Sequence, residues 1–231
     1  MVASTGDVRD PNEFDIVGER ITKWLRLTGE QRVLDVGCAS GTLTTRWSPA
    51  AQHVTAVDFS RVLIDEANRR HGGDQLDFEI AEAGSLPFDD QTFDAVCCYN
   101  VIPAFPDHGY VDQAISEFLR VAKPGARIVI GSLPDQRKRE AFYDLMDASS
   151  HPCKRLVPRR LRWSIKRMLK PGAEPGQTKI LWFDLEQMAT NLRAQGCEVE
   201  VVPDPDFAHY SVYRQTVIVT RGANPSASPG V

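Results

Sequence analysis

Four residues of buried-strand type, Val33-Leu34-Asp35-Val36, run straight into the small residues Gly37-Cys38-Ala39-Ser40-Gly41, and no other stretch restricts the fold so strongly. The first four read as a short buried strand, and the glycines allow a sharp turn in which backbone comes close to a ligand. A helix is expected from Thr42 onward. Strand, tight turn and helix start together would surround a small polar ligand with backbone N–H groups.

The segments that follow keep the same alternation. Residues 53–58 read as a second strand ending in Asp58, about twenty residues beyond the turn, the spacing of an acid that accepts from both hydroxyls of a ribose. Asp58 could instead cap the next helix, a task for which Ser60 also stands ready. Further strands are expected over 76–80, 93–99 and 126–131. In an open α/β sheet the ligand lies outside the carboxyl ends of the strands, which puts Tyr99 and Asn100 beside the reacting group. Helical spacing of Phe14, Val17, Ile21, Trp24 and Leu25 predicts a leading helix over 11–27, ended by Gly29. Other helices are expected over 60–70, 107–122 and 185–195, the last with Asp184 and Gln187 as a capping box and Gly196 as its stop. Two strands, 197–202 and 215–220, close the pattern.

Composition agrees with one soluble domain: 231 residues, 42% hydrophobic and 25% charged. The domain is expected over 1–221, with a tail from 222 rich in Ser, Pro and Ala and expected to be disordered. Residues 1–15 carry four acids and no apolar core, unlike a signal peptide, and no uncharged apolar run approaches a membrane span. The five cysteines have no paired C-x-x-C spacing and read as small buried hydrophobes, which suits a reducing cytoplasm. No metal constellation is evident.

The turn reads Gly37-x-Ala39-x-Gly41, with Thr42 where a dinucleotide fingerprint would have its third glycine, which counts against an NAD-dependent oxidoreductase. It resembles motif I, E/D-x-G-x-G-x-G, of the class I S-adenosylmethionine (SAM) dependent methyltransferases. Ala81-Glu82-Ala83-Gly84-Ser85-Leu86-Pro87-Phe88 resembles the G-D-A-x-x-L-P-F stretch of a small-molecule subgroup, the type 11-like enzymes, and Arg120-Val121-Ala122-Lys123-Pro124-Gly125-Ala126-Arg127 resembles its R-V-L-K-P-G-G-R signature. The resemblance implies a Rossmann-like, seven-stranded, mostly parallel sheet with helices on both faces and the final strand antiparallel. It implies SAM as cofactor, held by Asp35, Gly37, Cys38, Ala39, Gly41 and Asp58. Phe59 would lie against the adenine, Glu82 would accept from its amino group and the Ala83 N–H would donate to its ring, with Tyr99 and Asn100 near the methyl group. The usual Val-Leu-His-His-Leu is here Val101-Ile102-Pro103-Ala104-Phe105, without histidines, and the Asn-Pro-Pro-Tyr motif of base-amine methylation is absent.

Residues 133–181 form an insert beyond that core. Eight Lys and Arg and no acid fall within residues 154–170, on a chain whose net charge is −4. As a helix this segment would bury Leu161, Ile165, Met168 and Leu169 and leave Trp163 on a basic face with Arg159, Arg162 and Lys166. Such a face suits a phosphate-bearing or lipid-linked substrate or an anionic membrane surface; a plain solvated face explains it equally well. The acidic remainder of the chain disfavours nucleic acid. The segment Tyr210-Ser211-Val212-Tyr213-Arg214 is similar to the closing strand of methyltransferases of polysaccharide-building enzymes. For a general base the candidates are His108 and the pair His209 and Tyr210, ahead of His151, His53 and His71. The expected activity is methyl transfer to an oxygen or nitrogen of a small molecule, a natural product or a sugar. A non-catalytic SAM-binding scaffold is the other reading, kept open by the missing histidines.

Overall fold

The computed structural model describes residues 12–148, 180–205 and 212–222. The candidates His151, His209 and Tyr210, the basic segment with Arg159, Arg162, Trp163 and Lys166, and the tail beyond Gly222 lie outside the described residues.

Seven strands form a single sheet: β1 (Arg32–Val36), β2 (His53–Asp58), β3 (Leu76–Ile80), β4 (Phe93–Tyr99), β5 (Ala122–Pro134), β6 (Glu198–Pro203) and β7 (Arg214–Thr220). Their order is β3-β2-β1-β4-β5-β7-β6. The first five run parallel, while β7 runs antiparallel to both β5 and β6. Strand order reverses between β1 and β4, so the crevice for a ligand opens where these two diverge at their carboxyl ends.

Helices cover both faces, which is why β1 is buried over four successive residues rather than alternating. On one face α1 (Glu13–Leu25), α2 (Thr44–Trp47) and α3 (Arg61–His71) deliver Val17, Ile21, Leu25, Trp47, Ile64 and Ala67 to a core that also contains Val33, Cys97 and Val129. On the other, α4 (His108–Val121) buries Val111, Ala114, Ile115 and Phe118 at helical spacing; among the described residues α5 (Arg139–Ala148) comes next, and α6 (Leu185–Ala194) adds Leu185, Ala189 and Leu192 to this core. Two cores back to back thus clamp one sheet.

Several ends differ from expectation for local reasons. The leading helix stops at Arg26, which takes the left-handed conformation (φ 55°) while the Arg26 and Leu27 N–H groups fold back onto the carbonyls of Lys23 and Thr22; Gly29 lies beyond that stop. The helix after the glycine turn is only four residues long, followed at once by a 3-10 turn carrying Pro49. Strand β5 is longer than expected at both ends, because Phe93 pairs with Ala122 before a register shift and Pro134 still pairs with Arg214. At α6 the Asp184 carboxylate accepts the Gln187 N–H at 3.0 Å, but the Gln187 side chain turns to Asn191, so half of the capping box forms.

Ser60 precedes α3 without a side-chain cap bond; Asp58 Oδ1 accepts the Ser60 N–H instead, at 2.9 Å. Asp107, by contrast, caps α4 through the Tyr110 N–H at 2.9 Å. Asp107→Ala is therefore expected to cost about 1 kcal/mol in urea unfolding, and Ser60→Ala less than about 0.5 kcal/mol. Equal losses at the two positions would contradict this assignment of the caps.

Candidate functional site

The turn after β1 is built from backbone that side chains tolerate poorly. Gly37 (φ +82°) and Gly41 (φ +77°) are left-handed, and an added Cβ would lie 2.4 Å from Val101 at the first and 2.6 Å from Phe78 at the second. Ala39 is left-handed too, at φ 51°. The turn is pinned from β2: the Gly37 and Cys38 N–H groups donate to the Val57 carbonyl at 2.7 and 3.0 Å, and the Ala39 N–H donates to Asp58 Oδ2 at 3.0 Å. Turn and acid are thus one unit. Asp58 is buried, with its two backbone donors on opposite oxygens. A carboxylate has about four acceptor positions, so these two donors leave room for two more, the number that the ribose role expected from sequence requires.

Asp35 lies beneath the turn, buried, with the Thr44 hydroxyl donating to it at 2.6 Å. Burial pushes its carboxyl up to about 7, against the pull of the Thr44 hydrogen bond. Cys38, Cys97 and Cys98 are buried around it, and burial drives all three thiols upward, so they act as apolar filler.

Beyond Asp58 a cleft of about 300 Å³ is lined by Phe59, Ile80, Ala81, Glu82, Ser85 and Pro87. Phe59 is 65% and Ile80 42% exposed, two apolar side chains at the ends of β2 and β3 that line the cleft. Ala83 is buried next to Glu82. The 82–88 loop is held from α4 by residues that sequence reasoning did not single out for this site. The Tyr110 hydroxyl donates to Glu82 at 3.0 Å, Glu117 accepts the Leu86 N–H at 2.8 Å, and Arg120 donates to the carbonyls of Phe88 and Leu86 at 2.7 and 3.0 Å. The Arg120 guanidinium holds the Glu117 carboxyl below the usual range. A charged helix position three residues from another was the available signal.

At the ends of β4 and β5 a second polar group assembles. Tyr99 stacks on Trp24 (ring centres 6.4 Å apart) and its hydroxyl points to Asp204 at 3.5 Å. Asn100 is left-handed (φ 61°), as is Ser132 (φ 62°) on the neighbouring strand. Arg214 Nη1 donates to Asn100 Oδ1 and, at 2.9 Å, to Ser132 Oγ. Burial raises the Asp204 carboxyl, which takes the Thr216 hydroxyl at 2.5 Å, and carries the Tyr99 phenol well above its ordinary value. Asp204, Ser132 and Thr216 were not anticipated; only the fold brings them to Tyr99. His108 is exposed at the start of α4, its ring edge-on to Phe183 at 5.3 Å.

With this geometry in place, the comparisons with known proteins are direct. A family model described as a methyltransferase domain matches residues 34–130. A demethylmenaquinone methyltransferase from Clavibacter sepedonicus is 39% identical over 206 residues, covering 85% of this chain and 74% of the relative. The chain belongs to the SAM-dependent methyltransferases. A 27-O-demethylrifamycin SV methyltransferase from Amycolatopsis mediterranei is 32% identical over 118 residues, covering 49% of this chain and 42% of that one. Among solved structures, a SAM-dependent methyltransferase from Methanosarcina mazei aligns with a TM-score of 0.63 at 20% identity, over 89% of this chain and 98% of the other. An N-methyltransferase, NodS from Bradyrhizobium japonicum in complex with S-adenosylhomocysteine, aligns with a TM-score of 0.62 at 18% identity, over 95% and 93%. The cofactor of this methyltransferase is SAM, and the buried acid and the apolar cleft beside it have the chemistry that a ribose and a flat base require. No helix among the described residues is long and apolar enough to cross a membrane.

Two outcomes follow for the methyltransferase. Asp58→Asn keeps one oxygen for the turn but loses the charge, and is expected to weaken SAM binding about 100-fold in calorimetric titration, the loss of two charge-assisted hydrogen bonds. Unchanged affinity would remove Asp58 from the cofactor site. Asp35 has a folded value above its unfolded one, so between about pH 4 and pH 7 the folded state holds more protons and stability falls as pH rises. The ligand-free protein should lose roughly 4 kcal/mol from this group across that window, and Asp35→Asn should flatten the dependence in urea titrations at graded pH.

Proposed function

We propose that this methyltransferase acts on a small aromatic molecule carrying a hydroxyl group. The observation that carries this reading is a wall of three mutually packed rings beside Asn100 and Arg214. Phe142 lies 4.8 Å from Tyr213 and 5.3 Å from Trp182, and Trp182 lies 5.8 Å from Tyr213. The Arg139 guanidinium sits 5.7 Å above Trp182 and that of Arg214 5.6 Å from Tyr213. Leu181 is fixed to the loop after β4 through its N–H to the Pro103 carbonyl at 3.1 Å, so the wall stands at the carboxyl edge of β4. Rings and guanidinium planes at that place favour a flat acceptor.

The relatives lean the same way, since the Clavibacter sepedonicus enzyme is named for demethylmenaquinone and another, from Xylella fastidiosa, for ubiquinone biosynthesis. Of the natural product and the sugar expected from sequence, the ring-bearing natural product has the better support. When bound, SAM supplies a methyl carbon activated by its sulfonium. The chain's own part is to hold that carbon and the acceptor in line: Asp58 and the turn fix one end, Tyr99 and Asn100 border the other, and proximity supplies much of the acceleration. A cationic amino group near Asp35 would hold that carboxyl ionised. The buried thiols favour a reducing compartment, the cytoplasm.

Incubation with SAM and two panels of acceptors, reduced naphthoquinones and phenols against glycosides without aromatic rings, tests this by mass spectrometry. The aromatic panel is expected to gain a methyl group. Methylation confined to the glycosides would overturn the reading.

A further inference from the structure

Two stripes run along α4. Val111, Ala114, Ile115 and Phe118 are buried in the core, whereas Tyr110, Gln113, Glu117 and Arg120, at steps of three, four and three, share a different face. All four members of the second stripe grip the segment after β3, and in the same order along both. Tyr110 holds Glu82 and Gly84, Gln113 Nε2 donates to the Gly84 carbonyl at 2.8 Å, and Glu117 and Arg120 hold Leu86 and Phe88. Helix and loop approach closely at Gly84, where an added Cβ would lie 3.1 Å from the Tyr110 ring and 3.2 Å from Gln113. Of the four, only Tyr110 reaches a side chain that lines the cleft.

That side chain is Glu82. The Gly84 N–H donates to the Tyr110 hydroxyl at 3.3 Å, and the hydroxyl donates onward to Glu82 Oε2 at 3.0 Å, a short chain in which each bond polarises the next. Phe105, edge-on at 4.9 Å, packs against the tyrosine ring from the loop after β4. Burial, and after it the bond to Glu82, pushes the Tyr110 phenol above its ordinary value, so it stays protonated and donating through the neutral range. Among the described residues Glu82 Oε1 takes no hydrogen bond. A long carboxylate on an exposed loop has several rotamers open to it, and the tyrosine picks one.

We propose that Tyr110 is a specificity-determining positioning residue of the cofactor site: by taking Glu82 Oε2 it commits Oε1 to a donor in the cleft, so the site selects a base that presents an amino group over one that presents a carbonyl. This inference rests on the base of the cofactor lying in the cleft beside Asp58, and it is independent of the aromatic-acceptor reading. A carbonyl set against that carboxylate would bring two acceptors together with no proton between them, and the fixed rotamer denies Glu82 the freedom to turn away. Discrimination therefore comes from α4, outside the cleft itself.

The test is calorimetric titration of the whole protein with S-adenosylhomocysteine and with S-inosylhomocysteine, in which a carbonyl replaces the amino group of the base. The wild type is expected to prefer the amino compound about 100-fold, as sites built around a buried or fixed polar partner do. Tyr110→Phe should weaken S-adenosylhomocysteine about tenfold, leave S-inosylhomocysteine nearly unchanged and so shrink the preference to about tenfold. Glu82→Gln, a change on an exposed loop residue, should shrink it at least as far, and adding Tyr110→Phe to it should have no further effect on the ratio. Gln113→Ala loosens the same loop without touching Glu82, and should weaken both ligands alike. A preference that survives in Tyr110→Phe, both ligands falling together, would reduce Tyr110 to a loop support and overturn the inference, as would a Gln113→Ala protein that loses the preference equally. Equal binding of the two ligands by the wild type would remove Glu82 from base recognition and the inference with it, leaving the acceptor reading untouched.

Discussion

The hydrogen bond from the Ala39 N–H to the Asp58 carboxylate, 3.0 Å long, is the constraint on which the cofactor half of the molecule depends. It joins a left-handed residue of the turn after β1 to the last residue of β2. The turn could not hold that conformation cheaply by itself, and buried carboxylate oxygens need hydrogen-bond donors. Each solves the other's problem. The parallel pairing of β1 with β2 in register, from Arg32 with His53 to Val36 with Val57, sets the distance at which they meet.

Much of this half was legible in the sequence because its signals are local. Gly37 and Gly41 announce a turn, and Asp58 follows a run of strand residues. Phe59 and Glu82 were placed by motif and meet at one cleft. Where the local reading went astray, a competing local bond had taken over. Arg26 ended α1 before Gly29 could, and Ser60, which stood ready to cap α3, makes no side-chain cap bond, its own N–H going to Asp58.

The groups gathered at the ends of β4 and β5 were far less legible. Asp204 sits between two prolines and reads as loop, and nothing near it in sequence points to Tyr99 or Thr216, its neighbours in space. Trp182 and Phe142 are about forty residues apart and meet only because the chain returns past the ends of β4 and β5. Arg120 shows the same limit on a smaller scale. Its motif was recognisable, but its task, gripping two carbonyls of the 82–88 loop from α4, depends on helix and loop lying side by side.

The reversal of β7 also divides the labour along the chain. Residues of the glycine turn, Asp58 and the cleft all come before residue 90, whereas the ring wall and Arg214 come after residue 135. The family model ends at residue 130, on the boundary between the two. Substitutions confined to the chain after residue 135 can therefore rebuild the ring wall without touching the turn, Asp58 or the cleft, so the two ends of the sheet are free to vary independently.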